Sequence, residues 1–379
     1  MPDPEFISEV ARLILTENVP ITEELSEQAL VRRMRPIFAA LTVLHETHLD
    51  RNSRIVCFYV LLFKYWFEKK GERTELFMIL RSLDCFDEVW AALNNQKSSG
   101  KLPVLLQLYT SVSKALGVKG GFRNIRKKHL RRIEITAAFV RTNFDNLNIV
   151  LLAETVLLCN LVERQSKISE SLRAHFDFKF ESCGYRLPTV DWIAKAIHMV
   201  LCNPPLKEEY MVRRWDKETP AGIHPLWAAL LVFFESSLPL DARVVGFWSL
   251  IFHEWLEEND PEHIKVMLAE INCGADAGIY VQEMSFLKGG FRRECAELFN
   301  RRPFTICLKT LDKCSNFLDG KWMDEALEKK ERQTTHLKKI CEYVSQTFSC
   351  YEPLFCVHLA QKIIVRAIHE LKRNNRQCL

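Results

Sequence analysis

Glycine is scarce. The chain has 13 glycines in 379 residues, few for the loops in which phosphate cradles and strained nucleophile turns sit. It contains no GxGxxG, no Walker A sequence, no GxSxG and no HExxH, so dinucleotide, P-loop, hydrolase and zinc-protease chemistry lack their signatures. The stretch "FHEWLEE" has the residue types of a zinc motif without its spacing. Long hydrophobic runs are missing too. "PLWAALLVFF" is closed by Glu235, and "IVLLA" is separated from "TVLLCNLV" by Glu154. Neither reaches the roughly 18 to 20 residues a membrane span needs, so both read as core helices and no membrane association is expected. The N-terminal "MPDPEFISEVARLIL" carries acids where a secretory leader would be basic.

Charge of one sign is not in excess either: 52 basic residues face 48 acidic ones, a net charge of +4. Basicity therefore has to be sought locally. Cysteine is plentiful, at 13, but the number is odd and the spacing irregular, and most cysteines lie in apolar runs. Buried, reduced thiols in an intracellular compartment, cytoplasmic or nuclear, are expected. "HETH" (His45 to His48) and "CYEPLFCVH" (Cys350 to His358) lack the ligand spacing of structural zinc. The sequence thus assigns no catalytic residue, no cofactor and no metal.

What is present is self-similarity. Lys-Gly-Gly-Phe-Arg occurs twice, in "VKGGFRNIR" (Val118 to Arg126) and "LKGGFRREC" (Leu287 to Cys295). "RPIFAALTVLHETHLDRNSRIVCFYVLLFKYWFE" also lies without a gap over "HPLWAALLVFFESSLPLDARVVGFWSLIFHEWLE", at a constant interval of 189 residues. Pro36/Pro225, Arg54/Arg243, Phe58/Phe247, Phe63/Phe252 and Trp66/Trp255 are identical pairs. Further upstream, Phe6 meets Trp192 and Leu15 meets Leu201. The expectation is an all-α chain of two tandemly duplicated helical lobes, 1–185 and 190–379, packed as an α-solenoid or a helical bundle. Six to eight helices per lobe are expected. Pro36 and Pro225 suit first turns, and Asp50 or Ser53 could cap the next helix. The recurring aromatics fit core positions.

The two KGGFR segments read foremost as helix-ending turns, with a phosphate-holding turn as the alternative. After the first, basic residues crowd together: Lys119, Arg123, Arg126, Lys127, Lys128, Arg131 and Arg132, with no acid before Glu134. On a continuous helix Phe122, Ile125, His129 and Ile133 would be buried, and Arg123, Lys127 and Arg131 would line the opposite face. Two functional readings follow. One is a non-enzymatic scaffold or adaptor that binds protein or peptide partners within an intracellular complex, with room for homodimerisation. The other is an RNA- or DNA-binding protein that uses the basic segment from Lys119 to Arg132.

Overall fold

A computed structural model describes residues 4–16, 26–46, 48–68, 73–95, 100–165, 187–202, 223–235, 237–257, 261–285, 302–318, 326–347 and 354–377, with side chains at all but 73, 75, 254–257, 261–263 and 374–377. All regular elements among them are helical. The first half runs α1 (Pro4–Thr16), α2 (Glu27–Leu44), α3 (Arg51–Glu68), α4 (Arg73–Leu80), α5 (Phe86–Asn94) and α6 (Lys101–Ala115). A 3-10 turn (Phe122–Asn124), α7 (Lys127–Asn143) and α8 (Asn148–Gln165) complete it. The second half runs α9 (Val190–Cys202), α10 (Ile223–Phe234), α11 (Leu240–Glu257), α12 (Pro261–Glu270), α13 (Gly274–Met284), α14 (Pro303–Leu318), α15 (Leu327–Thr347) and α16 (Phe355–Gln377). Among the described residues no helix is long and apolar enough to cross a membrane.

Local chemistry sets several helix ends. Ser26 starts α2 by accepting the Ala29 N–H on its hydroxyl oxygen at 3.3 Å. Of the two candidate caps before α3, Asp50 takes the role: its Oδ1 accepts the Ser53 N–H at 2.9 Å, while the Ser53 hydroxyl donates to Oδ2 at 2.6 Å. Pro225 lies in the first turn of α10, but Pro36 lies inside α2. That corrects the first-turn expectation for Pro36. The helix starts nine residues earlier, at Glu27, because Leu30, Val31 and Met34 are buried on the same element as Ile37, Phe38 and Leu41. This shared burial outweighs the one hydrogen bond to the Arg32 carbonyl that proline cannot make.

The halves use the same order of packing partners. In the first, α2 packs on α1, α3 and α6, α3 on α5, and α6 on both α7 and α8. In the second, α10 packs on α9, α11 and α14, α11 on α13, and α14 on both α15 and α16. The helices α3 and α11 start and end at the same 189-residue interval as the sequence match. Tandem duplication is a reading of the sequence; the structure adds this parallel in packing.

Matching helices also touch each other across the halves: α1 on α9, α2 on α10, α8 on α16. That is the pattern of an interface around a two-fold axis. At its centre Phe38 stacks on its counterpart Trp227, with ring centroids 5.6 Å apart. Phe38 also meets Phe234 edge-on at 5.4 Å, and His45, the counterpart of Phe234, meets Trp227 at 5.7 Å. The Trp227 indole N–H donates to the Thr42 hydroxyl at 3.0 Å. A continuous hydrophobic core spans both halves through this seam. The recurring aromatics Tyr59, Phe63, Trp248 and Phe252 are buried within it, as their spacing implied. The described cysteines are unbonded thiols, most of them buried, and burial pushes Cys57 up to about 12.

A buried carboxylate follows α2 and α10. Glu46 Oε2 accepts the Asn148 N–H at 2.6 Å, and its Oε1 accepts the Ile149 N–H at 2.7 Å and the Tyr109 hydroxyl at 2.8 Å. Its counterpart Glu235 accepts the Phe355 N–H at 2.7 Å. Each acid thus satisfies N–H groups at the start of the last helix of its half, where the helix dipole is positive. Arg54 and Arg243 answer from the other side, donating to the carbonyls of Leu44 and Phe233.

Burial raises Glu46 to about 7 against the pull of those hydrogen bonds and of Arg366. Its folded-state value thus lies above the unfolded one, so the native state takes up a proton between about pH 4.5 and 7. The contribution to stability falls as pH rises through that window, by up to about 1.4 kcal/mol per unit. Denaturant titrations of wild type and Glu46→Gln should show their stability difference moving in the variant's favour from about pH 5 to about pH 7. A constant difference would contradict the buried, proton-binding state.

Candidate functional site

The first KGGFR segment is a pinned turn between α6 and α7. Gly117, Gly120 and Gly121 have φ of +65°, +77° and +90°, a region that side chains with a Cβ rarely enter. The Gly117 N–H donates to the Phe234 carbonyl at 3.2 Å, tying the turn to the other half. Phe122 is buried and stacks on Phe355 of α16, centroids 5.6 Å apart. Three side chains of α8 hold the turn. Asn160 donates to the Phe122 carbonyl at 2.5 Å, Glu163 accepts the Arg123 N–H at 2.8 Å, and Arg164 donates to the Ile125 carbonyl at 3.2 Å. The carboxylate of Glu163 thus occupies the anion position that a phosphate would take in the alternative reading.

The second KGGFR segment, Leu287 to Cys295, lies outside the described residues. In chain order it falls between α13 and α14, whereas the first falls between α6 and α7.

All seven basic residues, Lys119, Arg123, Arg126, Lys127, Lys128, Arg131 and Arg132, are exposed. Their arrangement differs from a single helical face. Ile125 and Arg126 are extended, with ψ of 126° and 139°, and α7 starts only at Lys127. Arg123 is therefore not in helical register with Lys127 and Arg131. At the break Arg164 takes the Ile125 carbonyl, while the Phe122 carbonyl, shared with Asn160, closes the 3-10 turn by accepting the Ile125 N–H at 3.0 Å. His129, expected in the buried stripe, is exposed, and the buried positions of α7 are Ile133, Thr136, Ala137 and Val140. Lys127, Lys128 and His129 fill the first turn of α7, the positive end of its dipole, with no acid among them and no side-chain cap from Arg126.

Two further cations join this end of α7. A cleft of about 610 Å³ opens between the ends of α3 and α5, the length of α6 and the start of α7. Lys64, Lys114, His129 and Arg132 line it, and Glu68 is the one acid in its lining. Phe67, Leu93 and Leu106, buried, form its apolar part with Pro103. Burial holds Lys64 below the usual lysine range, and the like charges of Lys114 and Arg132 add to this while Glu68 opposes it. His129 is lowered by burial first and then by Lys128, Arg126, Arg132 and Lys114. The cations at this end thus repel one another, and an anion between them would relieve that repulsion.

The second half treats the corresponding position differently. His253, the counterpart of Lys64, is fully buried, with Nε2 3.3 Å from Asp312 Oδ1. Lys309 Nζ lies 3.0 Å from Asp312 Oδ2. Burial pushes Asp312 up, but Lys309, His253 and Lys313 outweigh it and hold it well below the usual range. Here the charge is neutralised internally.

Sequence reasoning missed Lys64 and Lys114. Their signal was faint: each is a single cation in an otherwise apolar or neutral helix stretch. Among the described residues, no group of three or more His, Cys, Asp or Glu side chains is placed to hold a metal ion. No family model, no curated protein and no solved structure matches the chain.

A Cβ on Gly121 would sit 2.8 Å from Glu163 Oε2 on a backbone at φ +90°. Gly121→Ala should therefore cost about 1–3 kcal/mol in denaturant unfolding. An unchanged midpoint would show that this turn is not held as described.

Proposed function

We propose that the protein is a nucleic-acid-binding protein that holds a sugar–phosphate backbone along the basic segment from Lys119 to Arg132. One observation carries the reading: these seven cations are all exposed, packed into fourteen residues with no acid among them. Cations at the N-terminus of a helix cost stability, and a bound polyanion offsets that cost. Backbone phosphates, evenly spaced and singly charged, suit a row of exposed Lys and Arg better than an isolated carboxylate does. The scaffold reading, with a protein or peptide partner, competes for the same surface through acidic peptides. No catalytic step belongs to this proposal.

The test is fluorescence anisotropy with short RNA and DNA oligonucleotides over a salt series, with poly-glutamate as competitor. Lys127→Glu/Lys128→Glu/Arg131→Glu should weaken binding roughly 10-fold or more and reduce the salt slope by about 2, some 0.7 for each phosphate contact on a single strand. Arg332→Glu/Lys338→Glu on the exposed side of α15 should leave binding unchanged. Binding of poly-glutamate but of no oligonucleotide would transfer the site to an acidic protein partner.

A further inference from the structure

We propose that the cleft between α3, α5, α6 and α7 receives an unpaired nucleobase, so that the protein selects single strands over duplex. The inference rests on the nucleic-acid reading above and adds a recognition element to it. His129 and Arg132 belong both to the basic segment and to the cleft lining. A strand lying on the start of α7 therefore arrives at the cleft. Lys114 and Arg132 are exposed and Lys64 half-buried, whereas Phe67, Leu93 and Leu106 are buried. Charge thus lies outward and apolar surface inward, the order of groups in a nucleotide whose phosphate faces solvent and whose base points in.

The volume, about 610 Å³, lies within the usual range for small-molecule pockets of roughly 300–1,000 Å³. Polar groups are in reach of a base edge. Asn94 spends its amide N–H on the Trp90 carbonyl and Thr110 its hydroxyl hydrogen on the Leu106 carbonyl, which leaves an oxygen acceptor on each. With its oxygen turned toward α7, the Gln107 amide accepts from Arg132 Nε at 2.5 Å, which holds that guanidinium at the cleft. A duplex keeps its bases stacked and offers only edges and phosphates, so it can use the basic segment but not the cleft. A single strand can use both.

The experiment measures anisotropy of labelled twelve-nucleotide RNA and DNA, each as single strand and as duplex, against wild type and Thr110→Trp, which fills the cleft. Wild type should bind the single strands about 10-fold more tightly than the duplexes, the size of one buried base contact. Thr110→Trp should lose that margin and keep its duplex affinity. Should Thr110→Trp not fold by circular dichroism, Ser111→Trp fills the same cleft with the same expectation. Equal affinity of wild type for both forms, or full single-strand affinity in a folded, cleft-filled variant, overturns the inference and leaves the backbone-binding reading standing. No binding of either form to wild type removes both.

Discussion

The stacking of Phe38 on Trp227 is the contact from which the rest of the molecule is built outward. Each half presents an apolar face around α2 or α10 that its own helices do not cover. The matching face of the other half covers it. An edge-on contact of Phe38 with Phe234 and a tilted one of Trp227 with His45 fill the seam. Burial and the neighbouring His224 hold His45 down to about 3, so the seam carries no charge there. Burying large aromatics on both sides contributes on the order of several kcal/mol. That is enough to make the two halves a single core rather than two neighbours on a tether.

The seam also places the candidate site. It brings α8 against α16 and sets Phe355 under Phe122. From there α8 reaches the turn after α6 with Asn160, Glu163 and Arg164. With the turn pinned on its inner side, its basic side chains can only point outward, and the same pinning makes α7 begin at Lys127 beside the cleft. A body built from two similar halves thus carries a lopsided charge pattern. One half closes its buried cation onto Asp312; the other leaves Lys64, Lys114 and Arg132 facing a common space. A buried ion pair of the first kind brings little net stability, because desolvation offsets most of the attraction. An open cluster of like charge lowers stability, and such a cost is commonly found where a surface serves binding.

Much of the fold was legible from residue pattern. The gap-free match around "RIVCFYVLLFKYWFE" located α3 and α11, because a helix buried along its length leaves a long apolar run that tolerates only like-for-like exchange. Elsewhere the pattern misled for identifiable reasons. Pro36 looks like a helix start from its immediate neighbours, but the apolar positions upstream keep α2 going. Of the twin KGGFR segments, only the first lies among the described residues. The break at Ile125 and Arg126 could not be read locally. Its partners lie in α8, with Glu163 forty residues along the chain from Arg123. The basic residues themselves were plain in the sequence, whereas Lys64 and Lys114 become part of the site only when α3 and α6 are folded beside α7.

The most direct test of the account is photocrosslinking of a short single strand to the full chain, followed by mass spectrometry of the peptide–nucleotide adducts. The account predicts adducts concentrated in peptides of α6, the 3-10 turn and α7, with further adducts near Lys64. Absence of adducts, or adducts confined to α15 and α16, would contradict it.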